Sequence, residues 1–570
     1  MKFPKLSYLS IIFSLILIIY RCATNNSQSA DIVFKNGFVF TVDSLNTEAE
    51  AVAIKDSKIV FVGDNEAVKS FIGNKTKVID LSGKMILPGF IDSHAHPISS
   101  YRYFYELNLY GLKTAVEIQD AIKKYLAEHP DAKYIKGRGW SNTDFPKNGP
   151  DKRIIDAVVT DIPVSFSSED GHSKWVNSKT LELVGITSET KNPGGGIIER
   201  YPVITEPNGT LRENAADLVS DIFPVYSVEE LMKGLEDYQA MVLRFGITSA
   251  HDAYLDAGSN ETEAYRKLEK SDRLKMRFRA SLYIDPKKGA DQINSLIDER
   301  HKNIGSLFQT NSAKIFIDGV VEGSTAYLKE QYKHQPGNFG ELLWNVDVLN
   351  EICSALDKDK FQIHVHSIGD AATSVTLFAF AFAEFQNRKR DSRNSITHLQ
   401  LVDKADIKKF KELDVIAVPQ PYWFSKDDYY YNIQLPYLGK KHADEEYPMK
   451  NFFDEGIIVA SSSDYPVTIP CNPLEAIQFG ITRSEFNTTD QNEILWPEER
   501  VNLKQMIRSF TINGAYANFL EKETGSIEVG KKADLIVLDK NLFEIPVTEI
   551  HKVKVLMTLF EGEEVFVDSN

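Results

Sequence analysis

The chain has 570 residues, 42% of them hydrophobic and 26% charged, with 81 acidic against 65 basic residues and a formal net charge of -16. That length is too great for one simple core and points to a large domain with a smaller companion, and the composition is that of a folded protein rather than a disordered one. The acidic balance argues against capture of nucleic acid or of an anionic membrane surface, which leaves small molecules as the expected partners.

The first residues depart from this pattern. Lys2 and Lys5 precede an apolar run from Leu6 to Tyr20, long enough for a signal-peptide core and short for a membrane span. Cys22 follows, and the polar run from Ala23 to Ser29 resembles the tether of a bacterial lipoprotein. Arg21 stands where such signals normally carry a small residue, so a lipid on Cys22, ordinary cleavage and a retained anchor all stay open. The expectation is a leader and tether over residues 1–30 and export to the cell envelope, with the lipid as the one route to a membrane. Cys353 and Cys471 cannot supply a disulfide framework, and neither is expected as nucleophile or ligand.

Short alternating strands are predicted at Asp31 to Phe40, Ala51 to Val62 and Val78 to Leu81, and again at Gly525 to Val529, Asp534 to Leu538, Val553 to Phe560 and Glu564 to Val567. Neither end is long enough to bury its apolar face alone, so residues 31–87 and 525–570 are expected to pair into one composite β-sandwich. Between them, strand patterns at Met85 to Asp92, Tyr134 to Gly139, Ile247 to Asp252, Lys314 to Asp318, Gln362 to His366, Ser395 to His398, Val415 to Pro419 and Ile457 to Ser463 alternate with amphipathic helices. This alternation predicts an α/β fold, a (β/α)8 TIM-like barrel over residues 88–524. An insertion over about 141–226, Gly- and Pro-rich near Asn192 to Gly196, is expected to cover the barrel mouth.

The most informative stretch runs from Pro88 to His96. In a strand, residues i and i+2 share a face, so His94 and His96 can aim both imidazoles at one metal ion. A His-x-His pair alone is as well explained by a surface pair. Lys314, His364, His366, His398 and Asp464 recur at the C-terminal ends of the predicted strands, where barrel active sites lie.

Together these residues resemble the amidohydrolase superfamily, and within it the amidohydrolase family 3 branch that includes N-substituted formamide deformylase. The resemblance is carried by the Pro88 to His96 run, Asp170-Gly171-His172 with Asn177, Lys314 to Gly319, His366-Ser367-Ile368-Gly369-Asp370, His398, Ser463-Asp464-Tyr465-Pro466, Asn513-Gly514-Ala515 and the run from Gly525 to Leu535. It implies a hydrolase with one or two divalent ions, zinc being the expected metal. His94 and His96 would hold one ion and His366 and His398 a second. Lys314 would bridge them as a carbamate, because an ammonium cannot ligate a cation. Asp464 would ligate the first ion and act as general base on an activated water. His172 would donate to the substrate carbonyl from the insertion, with a structural hydrogen bond as its plain alternative.

His364 ranks behind His366 as a supporting residue, and Asp318 and Asp370 as orienting ones. Ser395-Ile396-Thr397 departs from the acidic residue common before the equivalent of His398. Trp140, Tyr422, Trp423, Phe424 and Tyr465 suggest an apolar or aromatic substituent on the scissile amide, with core packing as the competing account. The expected reaction is hydrolysis of a non-peptide C–N bond in a small amide-type molecule, and a homodimer is an expected assembly. A ring-amine deaminase of the same superfamily is the nearest alternative, disfavoured because no Glu follows His366 closely and Lys314 is present. A catalytically inactive binding protein is the other, disfavoured because no ligand is lost.

Overall fold

Strands Phe90–Ala95, Ile247–Leu255, Arg277–Tyr283, Phe308–Phe316, Gln362–Ser367, Ser395–His398 and Ile416–Val418 lie side by side in chain order and all parallel in the computed structural model, which describes residues 29–568. The segment 457–464 closes the remaining gap. On one side Ala417 N–H donates to Ile458 O and Ala460 N–H returns to Ala417 O (3.0 and 2.9 Å); on the other, Ser93 N–H donates to Ser461 O and Asp464 N–H to His94 O (3.2 and 2.8 Å). The expected barrel is thus present, and its last stave touches its first. The leader and Cys22 lie outside the described residues.

Side-chain alternation explains how the barrel carries both a core and a polar bore. In Gln362–Ser367, Ile363 and Val365 join the apolar layer under the helices, whereas His364 and His366 point inward and find polar partners. Outer helices such as Val228–Val242 pack Leu231, Leu235, Tyr238 and Val242 onto that layer; this one opens with a capping box between Ser227 and Glu230.

Two of the expected strand positions need correction. Tyr134 to Gly139 is no barrel stave: Ile135–Trp140 belongs to a separate six-stranded sheet spanning Leu107 to Glu213, so that sheet begins ahead of residue 141. The third stave is Arg277–Tyr283, whose arginines interrupt the apolar signature yet are buried and partnered. Gly525 to Val529 is likewise not a strand but a turn-rich segment held by Ile527 N–H to Thr41 O (2.7 Å).

The composite sandwich has a four-stranded sheet, in the order Lys58–Gly63, Ala51–Lys55, Ile32–Lys35, Lys77–Asp80, and a six-stranded sheet, in the order Glu563–Val567, Val555–Phe560, Leu535–Leu538, Met85–Pro88, Phe38–Phe40, Glu48–Ala49. Phe34, Val39, Val52, Ile86, Leu535 and Leu559 fill the space between them, so both chain ends contribute to one core. Pro88 is the last residue paired to Leu535, and Gly89 begins the turn into the barrel. A Cβ on Gly89 would fall 2.3 Å from Thr248 Oγ1, so only glycine fits this hand-over.

One buried arginine fastens the two units. Arg277, 1% exposed, donates to Asp534, itself 0% exposed, and to Glu561 Oε1 at 2.6 Å. Asp534 also accepts Glu561 N–H at 2.8 Å. Arg277→Met leaves Asp534 buried without its cation, and is expected to lower the unfolding free energy by about 3–5 kcal/mol. Adding Asp534→Leu is expected to recover much of that loss, as read from urea titration of the single and double variants.

Candidate metal centre

The first and last staves bring three groups to one point. His94 Nε2 lies 3.2 Å and His96 Nε2 3.3 Å from Asp464 Oδ1, and His398 Nδ1 lies 3.9 Å from Asp464 Oδ2. Ligand-type atoms of His94, His398 and Asp464 all fall within 4.8 Å of one another, and all three residues are buried. His366 joins them with its ring 4.5 Å from that of His398. His398 and Asp464 both sit at positive φ, +72° and +59°. Such a backbone costs on the order of 1–3 kcal/mol for a residue with a Cβ and survives only where its surroundings impose it.

Lys314 stands beside the cluster on the fourth stave. Its Nζ is fully buried, makes no hydrogen bond, and rests 4.7 Å from the centre of the Phe316 ring. Burial pushes the ammonium down to about 7. Burial also drives His94 well below the usual imidazole range, with Lys314 as the next cause, and His398 down to about 3 against the pull of Asp464. His94 and His398 are therefore neutral, the form that can ligate. Asp464 is the converse: burial opposes its charge, but the His96 hydrogen bond holds it below its usual value.

Hydrogen bonds link the imidazoles to one another and to the staves around them. His94 Nδ1 is 2.5 Å from His364 Nε2, and His364 Nδ1 is 2.6 Å from Ser395 Oγ. A histidine that presents Nε2 as a lone pair carries its proton on Nδ1, so His94 donates to His364 and His364 donates to Ser395. In that arrangement both nitrogens of His364 are engaged by protein groups. Gln420 Nε2 donates to Thr397 Oγ1, Val418 O and Ser462 Oγ (3.0, 3.3 and 2.8 Å), which turns its Oε1 toward His398 Nδ1 at 3.1 Å and leaves His398 Nε2 free. Asp92 accepts Ser463 N–H at 2.9 Å and His94 N–H at 3.3 Å, tying the first stave to the last.

The insertion reaches this centre through His172. Its ring lies 5.6 Å from that of His366, and its Nδ1 lies 2.9 Å from Glu213 Oε2. Burial opposes a charge on His172, but Glu213 outweighs it and raises the imidazole to about 10. Asp170 Oδ1 holds the His172 N–H at 2.8 Å. Asn177 lies apart from the centre and caps the helix Ser178–Val184, accepting Thr180 N–H at 3.0 Å. Asp318 accepts the N–H groups of Tyr327, Ile368 and Gly369 (2.9, 3.0 and 2.8 Å) and so shapes the loops around His366.

Most of the expected aromatic lining is core instead. Trp140, Phe424 and Tyr465 are 0% exposed; Trp140 donates to Phe166 O at 3.1 Å, and Phe424 stacks on Tyr447. Trp423 alone of that set faces the centre closely, with its ring 5.8 Å from that of His398 and nearly parallel to it. The wall that sequence reasoning missed is Tyr254, Tyr283 and Phe316, half-buried at the ends of three consecutive staves, with Phe316 5.1 Å from the His366 ring. His251 was missed as well. It bridges Asn518 Oδ1 and Ser281 Oγ (2.8 and 2.7 Å) beside His364, and its place at the end of a predicted stave was the available signal.

A parallel barrel whose strand ends gather buried histidines and an aspartate, joined to a sandwich made by both chain ends, defines a metal-dependent hydrolase. The chain belongs to the amidohydrolase family, whose model matches residues 77–566. It is 29% identical over 547 residues to the protein LONG AFTER FAR-RED 3 of Arabidopsis thaliana, covering 94% of this chain and 92% of that one. It is 26% identical over 556 residues to the N-substituted formamide deformylase of Arthrobacter pascens, covering 94% and 98%. Among solved structures, a metal-dependent hydrolase from Pyrococcus furiosus superposes with a TM-score of 0.68 at 25% identity, over 90% of this chain and 99% of that one.

The His94–His364 contact gives a direct test. His364→Leu removes the acceptor for His94 Nδ1, and metal affinity is expected to fall about 10–100-fold, as losing an outer partner of a ligand typically does. Competition with a chromophoric chelator measures it, with circular dichroism as the check on folding.

Proposed function

We propose that this hydrolase cleaves a non-peptide C–N bond of the amide type in a small molecule, with His94, His96, His366, His398 and Asp464 holding the metal and Lys314 joining the two halves of the set. The observation that carries the reading is the convergence of neutral imidazoles and one ionised carboxylate beside a buried lysine that has no partner. The donor set of imidazole and carboxylate suits a divalent ion such as zinc. Lys314 fits a bridging role once its Nζ has added to the carbon of CO2 and released a proton, which turns an isolated amine into a carboxylate. The low proton affinity that burial gives this amine favours that addition.

A divalent ion held there supplies Lewis-acid chemistry, acidifying a water and polarising a carbonyl. The protein's own groups handle the protons. Asp464 accepts one at a carboxylate oxygen as water attacks and the C–O bond forms, and passes it to the leaving nitrogen as the C–N bond breaks. His172, kept protonated by Glu213, hydrogen-bonds the carbonyl oxygen as negative charge grows on it. Tyr254, Tyr283, Phe316 and Trp423 present an apolar wall to the rest of the substrate. The relative that deformylates N-substituted formamides makes N-formyl and N-acyl amines the substrates to try first.

Asp464→Asn is expected to cut kcat by about 10²–10⁴-fold on such substrates. Elemental analysis of the wild type is expected to return one or two divalent ions per chain. Release of free ammonia from a ring amine, with no hydrolysis of any N-acyl amine, would establish the deaminase alternative instead. A metal-bound crystal structure with Lys314 unmodified and remote from the ions would remove its bridging role.

A further inference from the structure

The six-stranded sheet between Leu107 and Glu213 has one apolar face, where Phe166 and Trp175 pack into a core. Its other face borders a cavity of about 640 Å³. Three adjacent strands put polar groups there in register: Lys136 lies opposite Ser165, and Ser167 lies between Arg138 and Lys174. The helix Ser100–Tyr105 adds Arg102, which donates to Ser167 Oγ at 2.7 Å; Lys174 Nζ donates to the same oxygen at 2.5 Å. Lys136 Nζ donates to Pro224 O at 2.8 Å, and Arg138 donates to the carbonyls of Arg102 and Tyr103.

The cations of this face make few direct ion pairs, although Glu106, Asp256 and Glu261 also line the cavity. Among the described residues, the one ion pair made by Arg102, Lys136, Arg138 or Lys174 is Arg102 with Glu106 at 3.6 Å, and Glu106 also accepts the Tyr226 hydroxyl. Arg138 Nη1 is buried without a hydrogen-bond partner. Across the cavity stand Asp256 and Glu261, the latter accepting Asp256 N–H at 3.1 Å; burial pushes Glu261 up to about 7 and raises Asp256. Burial, reinforced by Arg102, lowers Lys174 to about 7. An anion entering this cavity would meet two serine hydroxyls and three lysine or arginine heads already ordered by the sheet.

Two chain segments run from the neighbourhood of the metal centre to the walls of the cavity. Lys174 follows His172 by two residues, a step of about 7 Å along an extended strand, and Asp256 follows Tyr254 of the aromatic wall by two. We propose that the cavity is a carboxylate subsite for the substrate, in which Lys174, Lys136 and Arg102 hold an acidic group carried on the side of the molecule away from the scissile bond. This rests on the amide-hydrolase reading above, and it adds that the preferred substrate pairs an apolar body with a carboxylate.

The test uses matched substrates, N-formylbenzylamine and N-formyl-4-(aminomethyl)benzoate, with metal-replete full-length enzyme. Wild type is expected to favour the carboxylate in kcat/KM by 10-fold or more. Lys174→Met is expected to remove that preference through KM, leaving kcat and the neutral substrate within twofold, and Lys174→Arg is expected to keep it. Equal loss on both substrates, or no change on either, would overturn the subsite. If neither is hydrolysed, the amide reading fails, and the subsite is judged by calorimetry with 4-methylbenzoate and inorganic phosphate. Benzoate binding lost in Lys174→Met supports the subsite; absent binding, or phosphate binding as tight as benzoate, overturns it.

Discussion

The hydrogen bond between His94 Nδ1 and His364 Nε2 is the interaction on which the centre depends. It joins the first stave to the fifth across a bore where an unpartnered imidazole N–H would be costly. When His94 offers Nε2 as a lone pair, its Nδ1–H donates to His364 Nε2 and His364 Nδ1–H donates in turn to Ser395 Oγ, so the chain of donors runs one way. At Ser395 a hydroxyl meets this nitrogen without adding charge to a bore that already holds Asp464 and Asp92.

Much of the site was legible because its residues fall at strand ends in a recognisable order. A strand that ends in two histidines two residues apart needs no tertiary knowledge to be seen as one face. What was not legible was membership of a sheet. Ile135–Trp140 and Ile247–Leu255 have similar local patterns, and only pairing partners tell that one lies in the insertion and the other in the barrel. Arg277–Tyr283 was hidden for the opposite reason: Arg277 and Arg279 read as surface residues, yet one is neutralised by Asp534 and the other spends its guanidinium on the carbonyls of Phe278 and Leu307. Aromatics misled in the same way. Trp140 and Tyr465 sit close to motif residues in sequence, but their size is used to fill cores, while the half-buried ring set at the mouth comes from three separate staves.

The insertion does more than bring His172 beside His366. Its sheet separates two kinds of chemistry on its two faces, apolar packing below and a row of hydroxyls and cations above. The same strand that delivers Lys174 to that row begins beside His172, so the placement of the charged face and of the catalytic candidate is one structural decision. Glu213, at the end of a neighbouring strand, holds His172 by its side chain and His172 O by its N–H, which makes the ring's position a property of the sheet rather than of a loose loop.

Closure of the barrel by the segment 457–464 sets an order of events during synthesis. Asp92 and Ser463, which bond across the seam, are 371 residues apart in the chain. At roughly 5–20 residues per second on the ribosome, the first stave waits roughly 20–70 s for its partner. Throughout that interval Asp92, His94 and His96 have no seam to bury them, and the sandwich strand Met85–Pro88 lacks Leu535–Leu538 for longer still. The seam of the barrel and the pairing of the two chain ends are therefore the last contacts to become available, and His94, His96 and Asp464 come together only when most of the chain has been made.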